Sequence, residues 1–153
     1  TASEGQVRSR YVVLRKYLEN NRFLIFTDSR TEKIADLTTN DACNLLCYHS
    51  GKSLQVRILG KAIIHYNNSV TQNYWNGVKN HSAKAYTSVL PPGSVIKNPQ
   101  EAYSWNEPAT SAYFTVVEII PSTIEVLQLN RDQHIRALFT LDSESMASTF
   151  LAP

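Results

Sequence analysis

The sequence predicts a mainly β, α+β domain: an antiparallel, barrel-like sheet of six to seven strands with one or two short helices inserted. Three observations carry this. Apolar runs rich in Val, Ile, Leu, Phe and Tyr recur at short spacing between polar turns. Helical periodicity is confined to the stretches after the second and fourth of these runs. At 153 residues with 42% hydrophobic content, the chain suits a single domain, residues 1–153, around one core.

The elements follow in order. Strands are predicted over Arg8 to Leu18 and Phe23 to Thr27, with Glu19-Asn20-Asn21-Arg22 as a tight turn, since Asn tolerates positive φ. SRTEKIADLTTN then reads as a helix whose Ile34 and Leu37 share one face, with Ser29 or Thr31 as the cap. Ala42 to His49 and Leu54 to Tyr66 are two further strands joined by Ser50-Gly51-Lys52-Ser53. Asn68 to Lys79 and Ser82 to Val89 read as helices, stopped by Leu90-Pro91-Pro92-Gly93. A polar loop spans Lys97 to Thr110. Strands over Ala112 to Ile120, Ile124 to Leu129 and Ile135 to Leu141 complete the sheet, with turns at Pro121-Ser122-Thr123 and Asn130 to Gln133.

Composition narrows the function. A net charge of +2 gives no electrostatic case for nucleic acid as partner. No apolar run reaches the roughly 18 residues of a membrane span, and the first residues are not a signal peptide, so a cytoplasmic protein is expected. Cys43 and Cys47 lie too far apart along one strand to form a disulfide within it, and are expected as buried thiols in a reducing compartment. The histidines His49, His65, His81 and His134 show no metal-ligand spacing, and no metal is expected. Glycine-rich phosphate loops, HExxH and GxSxG are absent.

The informative feature is the placement of cations. Arg8, Arg10, Arg15 and Lys16 interleave with Tyr11-Val12-Val13-Leu14, and Arg30 and Lys33 open the first helix directly after Phe26-Thr27. A helix start offers free N–H groups and a positive dipole end, to which Ser29 and Thr31 add hydroxyls. Such a set fits a phosphate pocket, and fits solvated charges on an outer sheet face as well. Arg10 and Arg15 are of opposite parity, so either a bulge separates them or they serve different parts of the site; the second is expected.

RSRYVVLRKY, FLIFTDSRTEK and SLQVRILGKA, in this order, resemble the FMN-binding split barrels of the pyridoxamine 5′-phosphate oxidase family, as do His134-x-Arg136 and the closing Leu151-Ala152-Pro153. The resemblance implies a split β-barrel and FMN as cofactor, held between the two subunits of a homodimer. It assigns Arg10 and Lys33 to the cofactor, the latter to its phosphate, with Arg30 or Thr31 replacing an Arg that is Glu32 here. It sets Phe26 and Thr27 against the flavin, gives Gln55 a hydrogen bond to it, and has Arg136 come from the second subunit. Val12, Val13, Leu14 and Arg15 complete the cofactor set, with backbone donors of that strand facing the reduced ring. The family carries an N-terminal helical segment that this chain is expected to lack.

On the substrate side the resemblance points to Tyr74, Lys79, Ser82 and His134. Here the sequence departs from the family: Arg15 stands for a Lys, Val78 and Asp132 stand for arginines, and Leu127 for an aromatic residue. Each lost charge-assisted bond is worth roughly 1.5–3 kcal/mol, which disfavours a phosphorylated vitamer. The expectation is an FMN-dependent oxidoreductase of this class with no substrate and no catalytic residue assigned. The alternatives are genuine pyridoxamine/pyridoxine 5′-phosphate oxidase activity, a non-catalytic flavin-binding or regulatory module, and a related cofactor in the same barrel.

Overall fold

The computed structural model describes residues 2–3, 6–78, 80–142 and 145–153. Two short strands, β1 (Ala2–Ser3) and β2 (Gln6–Val7), pair with each other. The main sheet holds β3 (Leu14–Leu18), β4 (Arg22–Asp28), β5 (Ala42–His49), β6 (Leu54–Tyr66), β7 (Phe114–Gln128), β8 (Ile135–Leu141) and β9 (Met146–Leu151). It runs β3-β4-β7-β6-β5, with β8 on β7 and β9 on β8, and every pairing is antiparallel. Three helices are inserted: α1 (Glu32–Thr39), α2 (Ser69–Trp75) and the short α3 (Asn80–Ala83).

β7 organises the molecule. One edge pairs with β6 along almost its whole length, while the other is shared, β4 taking residues 114–119 and β8 residues 123–128. The sheet is split there. The turn expected at Pro121-Ser122-Thr123 is not a turn: the strand continues through it with a register shift at Leu59/Gly60. Pro121 has no N–H to give the ladder, and it is accommodated opposite Gly60, where a Cβ would fall on the Ile120 carbonyl. One long strand with an irregular register therefore stands where sequence patterning suggests two.

The two faces of the sheet are packed separately. On one, Phe23, Ile25, Ile58, Ala62, Val117 and Ile119 form a core capped by Leu37 and Ile34 of α1, the face the helical periodicity foretold. On the other, Leu24, Phe114, Val116 and Tyr86 meet Tyr74 and Trp75 of α2. Asn21 holds the positive φ, 59°, of the β3–β4 turn. Asn68 caps α2, its side chain accepting from Thr71 N while the Thr71 hydroxyl takes the Asn68 N–H.

Three further expectations are corrected. The first strand starts at Leu14 and not at Arg8, because residues 8–13 leave the sheet edge and Arg8 and Arg10 turn to Asp36 on α1. The helix expected over Ser82 to Val89 is short: α3 passes into a 3-10 turn at Lys84–Tyr86, and Ser88 then bridges Trp105. Cys47 is exposed rather than buried, since the core runs out beyond Leu45 on the edge strand β5; Cys43 is half-buried, and burial pushes its thiol pKa up. The strand β9 has no counterpart in the sequence reading. No helix among the described residues is long and apolar enough to cross a membrane.

Candidate cofactor-binding cleft

The segment 11–13, the end of β4 and the start of α1 enclose a cleft of about 370 Å³. Val12, Val13, Arg15, Phe26, Thr27, Thr31 and Lys33 line it, seven of the residues singled out in the sequence. Local structure explains the convergence. β4 alternates, so Thr27 and Ile25 face one side and Phe26 the other, and the chain then turns directly into α1. A bulge between Leu14 and Lys16 displaces Arg15, whose Nη2 donates to Tyr86 Oη at 3.4 Å. Arg10 and Arg15 consequently end in different places, with the bulge present as well.

Lys33 is the electrostatic centre of the cleft. Its Nζ donates to Thr27 Oγ1 at 2.7 Å and to Thr31 Oγ1 at 3.3 Å, and among the described residues no carboxylate lies within ion-pair distance. Burial, and then the charge of Arg10, lower its pKa from the ordinary lysine value. Thr31 occupies the N-cap position of α1 but does not cap it; its hydroxyl donates to the Asp28 carbonyl at 2.9 Å and accepts from Lys33. A desolvated ammonium held by neutral hydroxyls beside a helix start is a set of donors without an anion.

Asp28 also lines the cleft, yet its charge is covered. Arg30 donates to both its oxygens, at 3.0 and 2.7 Å, reaches the Ser88 and Val89 carbonyls, and lies 3.5 Å over the Tyr113 ring. The hydrogen bond to Asp28 raises the Arg30 pKa against the opposing effect of burial. Arg30 therefore does not line the cleft; it neutralises a carboxylate in the wall. Arg10 stands one ion pair away, its Nη2 3.1 Å from Asp36 Oδ2, and Leu14 lies at the start of β3 outside the lining.

Two expected residues sit elsewhere. Gln55 on β6, Leu127 on β7 and Arg136 on β8 are register partners in one row across the other half of the sheet. Arg136 Nη2 lies 2.9 Å from Glu125, a buried carboxylate that also accepts from Arg57, whose Nε is buried without a partner. Burial would raise the Glu125 pKa, but the hydrogen bonds from Arg136 and Arg57, with their charges, hold it below the usual carboxylate value. His134 is exposed just before β8, and Asp132 in the same connection is exposed too.

The substrate-side residues divide. Ser82 lines a smaller cavity of about 240 Å³ with Arg15, Phe26, Gly77, Val78 and Tyr86, three of them shared with the larger cleft. Tyr74 packs its ring 5.5 Å from Phe26 under the Lys16 ammonium, within the α2 core. Lys79 lies outside the described residues. Sequence reasoning missed Tyr11, Ala85, Tyr86 and Pro92 as cleft residues. No motif marks them: the Ala85–Pro92 segment reaches the cleft only through the folding of α3 and the following turn.

With this geometry established, comparison with known proteins is direct. The model of the family described as pyridoxamine 5′-phosphate oxidase, FMN-binding domain, matches residues 1–66. A pyridoxamine 5′-phosphate oxidase-related, FMN-binding protein of Nostoc punctiforme superposes with a TM-score of 0.77 at 18% identity, over 94% of this chain and 80% of that one. The chain has the split-barrel fold of that protein. PhzG of Burkholderia lata, solved in complex with tetrahydrophenazine-1-carboxylic acid, superposes with a TM-score of 0.78 at 20% identity, over 100% of this chain and 79% of its own. General Stress Protein 26 of Bacillus anthracis gives 0.51 at 19% identity, over 82% of each chain. At these identities the split barrels share the fold. No curated protein matches the sequence.

Proposed function

We propose that this split barrel is a single-domain, cytoplasmic FMN-binding flavoprotein, an oxidoreductase that works as a homodimer with its cofactor between the subunits. The observation that carries the reading is Lys33, a half-buried ammonium whose partners are the Thr27 and Thr31 hydroxyls and not a carboxylate. That arrangement fits the phosphate of FMN, and the match of residues 1–66 to the FMN-binding domain supports the assignment. FMN, when bound, supplies the redox chemistry. The protein binds and orients it: Lys33, Thr27 and Thr31 take the phosphate, while Val12, Val13 and Phe26 form the wall against its rings. Arg30 keeps the Asp28 carboxylate neutralised in that wall.

The position of the remaining residues supports the dimer. Gln55 and Arg136 share a row that is not in the cleft of their own chain, so they would serve the cleft of a second copy. The absorbance spectrum of the protein reconstituted with excess FMN and then desalted tests the reading. Flavin bands retained in stoichiometric amount are expected; a protein that emerges colourless overturns it.

A further inference from the structure

The smaller cavity points to a substrate class. We infer that it receives a monoanionic ring carboxylate and not a phosphate ester. This rests on the flavin reading of the adjoining cleft, with which it shares Arg15, Phe26 and Tyr86. A ligand in it therefore lies beside whatever fills that cleft.

The lining sets the chemistry. Arg15 is the one cation among the described residues that line the cavity. Among the described residues its guanidinium has no carboxylate within ion-pair distance, and its hydrogen bond is the long one to Tyr86 Oη. A guanidinium fork matches the two oxygens of a carboxylate, and Ser82 adds one hydroxyl. Gly77 and Val78 bring no donor side chain. A phosphate ester carries close to two charges and three terminal oxygens at neutral pH, which one guanidinium and one hydroxyl of this chain leave partly unpaired. The remaining walls are rings. Phe26 and Tyr86 each lie 5.1 Å from Phe114, edge-on, and are thereby fixed as flat surfaces that suit a planar or nearly planar ring.

Matched probes test the inference: benzoate and phenyl phosphate, titrated into the FMN-loaded protein at pH 8 and read by the flavin absorbance difference spectrum and by calorimetry. Benzoate is expected to bind at least about tenfold tighter, the size of one uncompensated charge. Arg15→Gln, compared with the wild type at matched flavin content because Arg15 also lines the larger cleft, should lose benzoate binding by a similar factor. Val78→Arg, which adds a second cation at the cavity wall, should turn the preference towards phenyl phosphate. Equal or tighter binding of phenyl phosphate by the wild-type protein, or binding of neither probe, overturns the carboxylate inference alone. A protein that shows no flavin spectrum before any probe is added overturns the cofactor reading and this inference with it.

Discussion

At the scale of single residues, Lys33, the proposed phosphate ligand, is held at a cost to stability. Its pKa is lowered by burial first and by Arg10 second, so between that lowered value and the ordinary 10.5 the unfolded chain binds more protons than the folded one. The charged lysine therefore weakens folding at neutral pH, and the penalty lifts as the pH rises through that window. Lys33→Met is expected to leave the FMN-free protein at least as stable at pH 7, by thermal melting. The same change should weaken FMN binding by about 10- to 100-fold, the loss of one charge-assisted bond of ~1.5–3 kcal/mol. His65→Ala, which breaks a contact to Glu118 away from the cleft, is the control and should bind FMN as the wild type does. Glu125 has the opposite sign. Its depressed pKa gives stability that is present above 4.5 and lost as the pH falls through the lowered value. Glu125→Gln should cost about 1–3 kcal/mol in urea unfolding at pH 7, discounted for the partial exposure of both arginines, and should flatten the acid limb. Much of the cleft was legible because β4 and the start of α1 are contiguous: Phe26, Thr27, Thr31 and Lys33 come from one stretch whose alternation and cap position can be read directly. Arg30 was not legible, because its carboxylate partner sits two residues away and a guanidinium is a phosphate ligand or a clamp depending on how the chain turns.

At the scale of elements, the pairing of β6 with β7 depends on one missing side chain. Gly60→Ala would put a Cβ on the Ile120 carbonyl and against Pro121, both backbone and neither able to swing aside. A loss of about 3 kcal/mol is expected, at the upper end for overpacking, and chemical denaturation would read it. The same place explains what the sequence could and could not convey. β4, β5, β6 and β8 are bounded by turn residues and their periodicity is unbroken, so their limits are close to those expected. Pro121-Ser122-Thr123 carries the composition of a turn, and only the glycine on the neighbouring strand makes it a bend within one. β9 was hidden because MASTFL has one short polar–apolar alternation and becomes a strand through its partner β8. The segment 8–13 has the composition of a strand, but two of its cations are drawn to a buried acid on α1.

At the scale of the whole molecule, the sheet carries an uncovered apolar row. Leu46 and Tyr48 on β5 are 66% and 60% exposed, and they sit opposite Arg57 and Gln55 in the ladder that leads to Arg136. In the proposed dimer this face meets the second copy. Leu46→Asp is therefore expected to yield a monomer by sedimentation and to lose FMN together with the dimer, whereas a dimer that persists with its flavin would place the interface elsewhere. The division of β7 between two neighbours has a last consequence. Flanked by β6 on one edge and by β4 and then β8 on the other, it is a shared spine between the half that holds the cleft and the half that holds Gln55 and Arg136. In deuterium its amides should be the slowest to exchange, outlasting those of the edge strands β5 and β9. The spine would then be the part of the fold that stays put while cofactor and partner come and go.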